Sequence, residues 1–333
     1  MTTIVYCFPV EERHRARMKE AAPHCSFVEA SQDTIPDKIF EADVFVGHAK
    51  VPVNWDAVVA AGKLKFIQSS AAGLDHCLAP SVIQSPITVC SASGLFANQV
   101  AEQTLALLLG LLRGLPIFYR QWQRKEFIRR PTDDLHGKRI GIVGMGGNGR
   151  RLVEVLAPYT KDIRATDYFP ENKPAQVSEL LPHTKLLDLA RWSEILILTL
   201  PLNASTRGCV DSSVFSAMPK GSYVINVARG SCVNESHLCD ALTNGHLAGA
   251  GLDVTDIEPL PSTSPLWDFP NVLITPHVGA QAKRRTDDTT DLICENLLRY
   301  FASQPLFNIV DKNLGFPHPS VLFRPENLIL TSN

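Results

Sequence analysis

Three strings in the C-terminal half of the chain hold residues able to do chemistry: Asn226-Val227-Ala228-Arg229-Gly230, Asp253 through Glu258-Pro259, and Thr275-Pro276-His277-Val278-Gly279. They offer one guanidinium, one carboxylate and one imidazole. A guanidinium grips a carboxylate through a rigid fork of N–H donors. An imidazole tuned by an acid holds and releases a proton near neutral pH. The set suits proton and hydride movement at a 2-hydroxy acid. An arginine after a strand is ordinarily a surface residue, and a lone histidine is ordinarily structural. The strings around Arg229 and His277 lift both out of that background. His48, His76 and His246 have no such company and read as structural or solvated.

Each string follows a predicted strand, where open α/β sheets gather their ligands. The strand candidates fall into two series. The first comprises 4–8, 27–29, 44–46, 66–68 and 88–90, with helices at 11–22 and 54–61, the second of which Asn54 can cap. The second comprises 139–143, 163–166, 195–199, 223–226, 249–253 and 272–274, with helices at 147–157, 212–217 and 235–244. Alternating β and α elements imply parallel sheets covered on both faces. Between the two series lies 99–112, apolar on nearly every face and therefore a buried helix. A basic, aromatic stretch follows at 119–130 and reads as a solvated face beside a subunit contact. A helix at 280–301 is long enough to return to the first series. The expected fold is α/β with two doubly wound domains: a Rossmann-type domain at 99–284, inserted into a flavodoxin-like outer domain of 1–98 plus 285–333. The tail, 315–333, carries three prolines and no clear pattern.

The chain has 333 residues, 45% of them apolar and 20% charged, enough for about two domains with sizeable cores. A net charge of −2 gives no electrostatic case for nucleic acid or an anionic membrane. The longest apolar run, 105–112, is too short to span a bilayer. The N-terminus opens on a strand-like run without a basic region, unlike a signal peptide. The eight cysteines form no CxxC pair and no ligand cluster with histidine, so reduced thiols, no metal and a cytoplasmic location are expected.

The apolar strand Ile140-Gly141-Ile142-Val143 runs directly into Gly144-Met145-Gly146-Gly147-Asn148-Gly149 and then a helix. This is GxGxxG in its strand–turn–helix setting. Gly144 permits the tight turn, Gly146 lets a pyrophosphate approach the backbone, and Gly149 lets helix and strand pack closely. The helix N-terminus favours the anion. Asp167 follows Gly149 by 18 residues at the end of the next strand. Its carboxylate suits ribose hydroxyls and repels a 2′-phosphate, which predicts NAD (NADH) over NADP.

From 68 to 315, about three-quarters of its length, the chain resembles the D-isomer-specific 2-hydroxyacid dehydrogenase family. The matched pieces include Ser70-Ala71-Ala72-Gly73-Leu74-Asp75, Val100-Ala101-Glu102, Leu135-His136-Gly137-Lys138, the glycine turn and Leu200-Pro201-Leu202 with Thr206. Beyond these lie Met218-Pro219-Lys220-Gly221, the three opening strings and Pro265-Leu266-Trp267. The resemblance implies an NAD-dependent oxidoreductase acting on a small 2-oxo or 2-hydroxy acid. It assigns Arg229, Glu258 and His277 as catalytic. Arg229 binds the substrate carboxylate and 2-oxo oxygen, His277 moves the proton, and Glu258 holds the His277 ring and favours its protonated form. The amides of Ala72 and Gly73 join Arg229 and His277 in binding substrate. Cofactor contacts fall to Gly144, Gly146, Gly147, Asn148, Gly149, Asp167, Pro201, Thr206, Val227, Ala228, Asp253, Gly279 and Ala280. Asp253 is assigned the nicotinamide carboxamide. With the apolar helix 99–112, the resemblance also implies a homodimer formed through the NAD-binding domain.

Two departures from the family pattern stand out. Gly147-Asn148 replaces a pair such as Arg-Ile, which removes one phosphate contact. Thr255 stands where an aromatic is common. In the phosphoglycerate-oxidising branch, a basic pair after the third strand holds the phosphate; His48 and Lys50 fall in that loop here, so glyoxylate or hydroxypyruvate is at least as well suited as 3-phosphoglycerate. Alternatives of other kinds are an NAD-sensing corepressor-like binding protein and a dehydrogenase of another small anion such as phosphite.

Overall fold

Short apolar runs pair into two all-parallel sheets in the computed structural model, which describes residues 1–323. The chain divides into two compact units, one of Met1–Phe96 with the chain from Ala282 onward, the other of Ala97–Gln281.

The first unit is built on β1 (Thr3–Cys7), β2 (Ser26–Glu29), β3 (Val44–Gly47), β4 (Phe66–Ser69) and β5 (Thr88–Cys90), in the order β2-β1-β3-β4-β5. Every residue of β3 and β4 is buried, as expected for central strands covered on both faces. Helices α1 (Glu12–Ala21), α2 (Ile35–Lys38), α3 (Trp55–Ala61) and α4 (Pro80–Gln84) connect them. The Asn54 side chain accepts the Ala57 N–H at 3.1 Å, which caps α3, and Gly62 ends it in the left-handed region.

The second unit carries seven strands: β6 (Ile140–Val143), β7 (Ile163–Asp167), β8 (Glu179–Pro182), β9 (Ile195–Leu198), β10 (Ser222–Asn226), β11 (Leu247–Leu252) and β12 (Val272–Ile274). Their order is β12-β11-β10-β9-β6-β7-β8, the dinucleotide-binding arrangement with one further strand at the edge. The sequence reading expects six of them. It omits β8, a half-exposed edge strand of sequence Glu-Leu-Leu-Pro that pairs with β7. The helices are α5 (Ala97–Leu112), α6 (Leu115–Gln123), α7 (Gly147–Leu156), α8 (Leu186–Trp192), α9 (Ser212–Ala217) and α10 (Glu235–Thr243).

α5 is the central packing element of this unit. It lies on α7 and on β10, β11 and β12. Val100, Ala101, Leu107, Leu108, Leu111 and Leu112 are all buried, each leucine contributing roughly 1.5–3 kcal/mol by leaving water. Gly249 and Gly251 of β11 make the fit possible: a Cβ at Gly251 would lie 3.0 Å from the Leu107 Cβ, and one at Gly249 3.4 Å from Leu111 Cδ2.

The stretch 119–130 is not uniform. Its first part belongs to α6, which Pro116 and a left-handed Gly114 start at Leu115. The final helix of the first unit, α11 (Arg285–Phe301), packs on α1 and buries Ile293, Cys294 and Leu297. It begins five residues later than the pattern at 280–301 suggests. The N–H groups of Val278 and Gly279 point instead to a side chain, and turns at Gln281 and Arg285 precede the helix.

Candidate active site

β10, β11 and β12 are neighbours in the second unit, and the loop after each carries one of the three reactive groups. Arg229 follows β10, Glu258 follows β11, and His277 follows β12. Parallel strands present their C-terminal ends on one edge, so three remote strings converge there.

The His277 ring meets the Glu258 carboxylate through Nδ1 and Oε2 at 2.8 Å. An ionised carboxylate only accepts, so Nδ1 carries the proton of this bond and Nε2 is left as the working atom. The two side chains are 43% and 39% exposed, open enough for a ligand to reach the ring. Burial pushes the Glu258 carboxyl up, but the hydrogen bond and charge of His277, the Thr255 N–H and the Arg229 charge outweigh it. The net result lies below the usual carboxylate value, so Glu258 is ionised at neutral pH.

Arg229 is fixed from its own loop. Its Nη1 donates to the Ala228 carbonyl at 2.8 Å. The buried Asn226 side chain donates to the Arg229 carbonyl at 3.0 Å and accepts from the Ala228 N–H at 3.0 Å. Gly230 then lies flat on the next loop: a Cβ there would stand 1.9 Å from the Thr255 carbonyl carbon. The Ser231 hydroxyl donates to Asp256, whose own N–H donates to Glu235 at 2.6 Å. The loops bearing Arg229 and Glu258 are therefore clamped together.

His277 has φ +53°, uncommon for a residue with a Cβ. Its N–H donates to the carbonyls of Asp253 and Thr275, at 2.8 and 3.0 Å. The Asp253 side chain, 2% exposed, accepts from the Thr275 hydroxyl at 2.6 Å and from the N–H groups of Val278 and Gly279 at 3.0 and 2.8 Å.

The glycine turn has the geometry of a dinucleotide cradle. Gly144 has φ +100°, and a Cβ at Gly149 would fall 2.2 Å from the Gly144 carbonyl oxygen. Gly146 precedes the first turn of α7, and a Cβ there would meet nothing within 4 Å, leaving room for a phosphate against the backbone. Gly147 and Asn148 form the first turn of α7. Asp167 ends β7, its two oxygens accepting the N–H groups of Met145 and Phe169 at 2.5 and 2.8 Å, which ties it to the turn. After β9, the Thr206 hydroxyl donates to the Pro201 carbonyl at 2.7 Å and shapes that loop. Val227 and Ala228 are buried behind Arg229. The residues present fit a dinucleotide.

In the first unit, Ala72 and Gly73 follow β4. Neither amide donates a hydrogen bond among the described residues. Nearby, the rings of His48 and His76 stack at 3.9 Å, and Lys50 donates its N–H to Gln32 at 2.6 Å. His246 bonds the Met218 carbonyl at 3.0 Å, a structural role.

Gln103, Ser231, Glu235, Asp256 and Thr275 have no assigned role in the sequence reading. Each acts on a loop distant in sequence. Only the position of Thr275 inside Thr-Pro-His could have hinted at this.

A seven-stranded doubly wound sheet with this glycine turn, and with Arg, Glu and His at adjacent strand ends, defines a dinucleotide-dependent dehydrogenase class. Residues 105–279 match the profile of the D-isomer specific 2-hydroxyacid dehydrogenase, NAD binding domain. An uncharacterized protein "in proB 3'region" of Corynebacterium melassecola is 34% identical over 260 residues, covering 76% of this chain and 84% of that one. The D-3-phosphoglycerate dehydrogenase of Mycobacterium bovis is 29% identical over 272 residues, covering 80% of this chain and 50% of that one. The chain thus spans about half the length of that enzyme. A D-isomer specific 2-hydroxyacid dehydrogenase from Xanthobacter autotrophicus Py2, solved with NADPH and MES, superposes with a TM-score of 0.80 at 28% identity, covering 95% of this chain and 99% of that one. The chain belongs to the D-isomer specific 2-hydroxyacid dehydrogenase family, whose members are oxidoreductases.

Proposed function

We propose that this chain interconverts a small D-2-hydroxy acid and its 2-oxo acid with NAD. The observation that carries the reading is the 2.8 Å pair of His277 and Glu258, with the Arg229 charge acting on the same carboxylate. Arg229 holds the substrate carboxylate and orients the 2-oxo oxygen through its planar fork. When bound, the nicotinamide supplies or accepts the hydride. In reduction His277 gives its Nε2 proton to the carbonyl oxygen, and in oxidation it takes the proton from the hydroxyl. Glu258 keeps Nδ1 protonated and compensates the imidazolium charge. Arg229 stabilises the developing alkoxide.

Asp167 supports NAD over NADP, since a carboxylate at the end of β7 suits ribose hydroxyls and opposes a phosphate. Asp253, Gly279 and Ala280, with Val227 and Ala228, form the proposed nicotinamide side; Gly144 to Gly149, Pro201 and Thr206 form the phosphate side. Glyoxylate or hydroxypyruvate is the preferred substrate type, because the first unit offers His48 and Lys50 where a phosphate would need two firm cations. NADH and NADPH oxidation measured against glyoxylate, hydroxypyruvate, pyruvate, 3-phosphohydroxypyruvate and longer 2-oxo acids tests the reading. Turnover with none of them, alongside tight NAD binding, would overturn it in favour of a sensor.

A homodimer through the second unit is part of this proposal. Leu115, Tyr119, Trp122, Phe127 and Ile128 are all exposed, Trp122 by 70% and Phe127 by 96%, and line or flank an apolar groove beside α6. Exposed aromatic area of this kind marks interaction surfaces. No single helix among the described residues is long and apolar enough to cross a membrane. The eight free cysteines support a reducing, cytoplasmic compartment.

A further inference from the structure

We propose that Gln103, on α5, is a positioning residue for His277, acting through Thr275 and Asp253. The inference rests on His277 being the proton-transfer group.

The chain of contacts is directional. Gln103 Nε2 donates to Thr275 Oγ1 at 2.8 Å. The Thr275 hydroxyl has one proton, and it goes to Asp253 Oδ1 at 2.6 Å. Asp253 accepts the Val278 N–H on the same oxygen and the Gly279 N–H on the other. The Asp253 carbonyl takes the His277 N–H at 2.8 Å. Every backbone N–H from His277 to Gly279 is thus bound to one aspartate. That set holds the left-handed backbone of His277, a conformation that persists only where its surroundings over-determine it. Gly279 is part of the device, since a Cβ there would stand 2.8 Å from Asp253 Oδ2.

Gln103 is brought to this place by packing. Gln103, Leu107 and Leu111 recur every fourth residue and so share one stripe of α5. Leu107 and Leu111 seat on Gly251 and Gly249 of β11. One turn further, the stripe passes the end of β11, and Gln103 meets Thr275. A carboxylate offers about four acceptor sites. The three donors named here leave one for a ligand, so the positioning role adds to a cofactor contact by Asp253 and does not replace it.

The test compares the full-length wild type with Thr275→Val, Gln103→Leu and Thr275→Ser, each checked for fold by circular dichroism. Two readouts are taken: NADH-dependent kinetics with the best 2-oxo acid, and hydrogen exchange of the backbone amides at 277–279. Thr275→Val and Gln103→Leu are expected to lower kcat about 10- to 100-fold, as misplacement of a reacting group does, with the Kd for NADH changed less than about twofold. Amide protection at 277–279 falls in both, and Thr275→Ser restores rate and protection. Wild-type kcat and wild-type protection in Thr275→Val and Gln103→Leu would overturn the proposal, as would a Thr275→Ser variant no better than Thr275→Val. If the wild type turns over no 2-oxo acid, the functional reading fails, and the exchange readout alone decides whether Gln103 and Thr275 hold this loop.

Discussion

Gly230 and Thr255 are in contact with no room for a single further carbon. The loops carrying Arg229 and Glu258 share that contact, so Gly230→Ala reports on both. Overpacking of this kind costs about 1–3 kcal/mol. The expected outcome is a lower melting midpoint together with a kcat/KM loss of at least about 10-fold. Unchanged turnover in a folded Gly230→Ala protein would show that Arg229 and Glu258 need no common register.

His277→Ala and Arg229→Ala each remove a group given a separate task. Loss of a positioned acid, or of a charge at the developing alkoxide, lowers kcat/KM by at least about 100-fold. The Arg229 variant should also raise the KM for the 2-oxo acid, while the His277 variant should act chiefly on kcat. Steady-state kinetics at saturating NADH separates the two.

Glu258→Gln should move the pH profile. The Glu258 carboxyl lies below its usual value of 4.5, so it is ionised throughout the neutral range. An amide in its place puts no negative charge beside the His277 ring, so the pH dependence of reductive kcat/KM should differ from that of the wild type. The linkage to stability has a definite sign. A depressed folded value means that the unfolded chain binds more protons between the two values, so the stabilisation is present above about 4.5 and is lost as pH falls through the lower, folded value. The stability gap between wild type and Glu258→Gln should narrow below pH 4.5. Denaturant titrations at neutral and acid pH check it.

Asp167 has two duties that one substitution can separate. Its oxygens take the N–H groups of Met145 and Phe169, and the proposed second duty is to bind the adenosine ribose. Asp167→Asn keeps one acceptor oxygen and removes the charge. NADPH should gain relative to NADH by about 10-fold or more in kcat/KM, since a repelling charge has gone. An unaltered NADH/NADPH ratio would assign Asp167 to the turn alone.

The apolar face beside α6 predicts a concentration-independent dimer. Trp122→Glu combined with Ile128→Glu should give a monomer by sedimentation, because a buried unpaired carboxylate strongly opposes association. A wild-type chain that sediments as a monomer at micromolar concentration would remove the dimer from the proposal.

Much of this arrangement is legible in the sequence, and the boundary has physical causes. Gly144 to Gly149 and Asp167 stand out because a strand, a turn and a helix follow each other within the chain. Arg229, Glu258 and His277 stand out because each sits in a short string directly after an apolar run. Gln103 does not, since it is one amide in a helix of leucines, and its partner Thr275 lies 172 residues away. The same holds for Ser231 and Asp256, 25 residues apart. β8 escapes notice because an exposed edge strand needs no apolar alternation. The late start of α11 goes with the turns at Gln281 and Arg285, which the apolar spacing of 280–301 does not reveal.

The flush contact of Gly230 with Thr255 also bears on how such enzymes can be recombined. A single loop imported from a relative would meet a neighbour that leaves no clearance, and both would shift. A chimera exchanging residues 226–279 as one segment keeps the Asn226 bonds, the Gly230 contact, the Asp256 bonds within that stretch and the Asp253 network together. Specificity is therefore best transplanted by the whole three-strand edge, with position 103 on α5 matched to it.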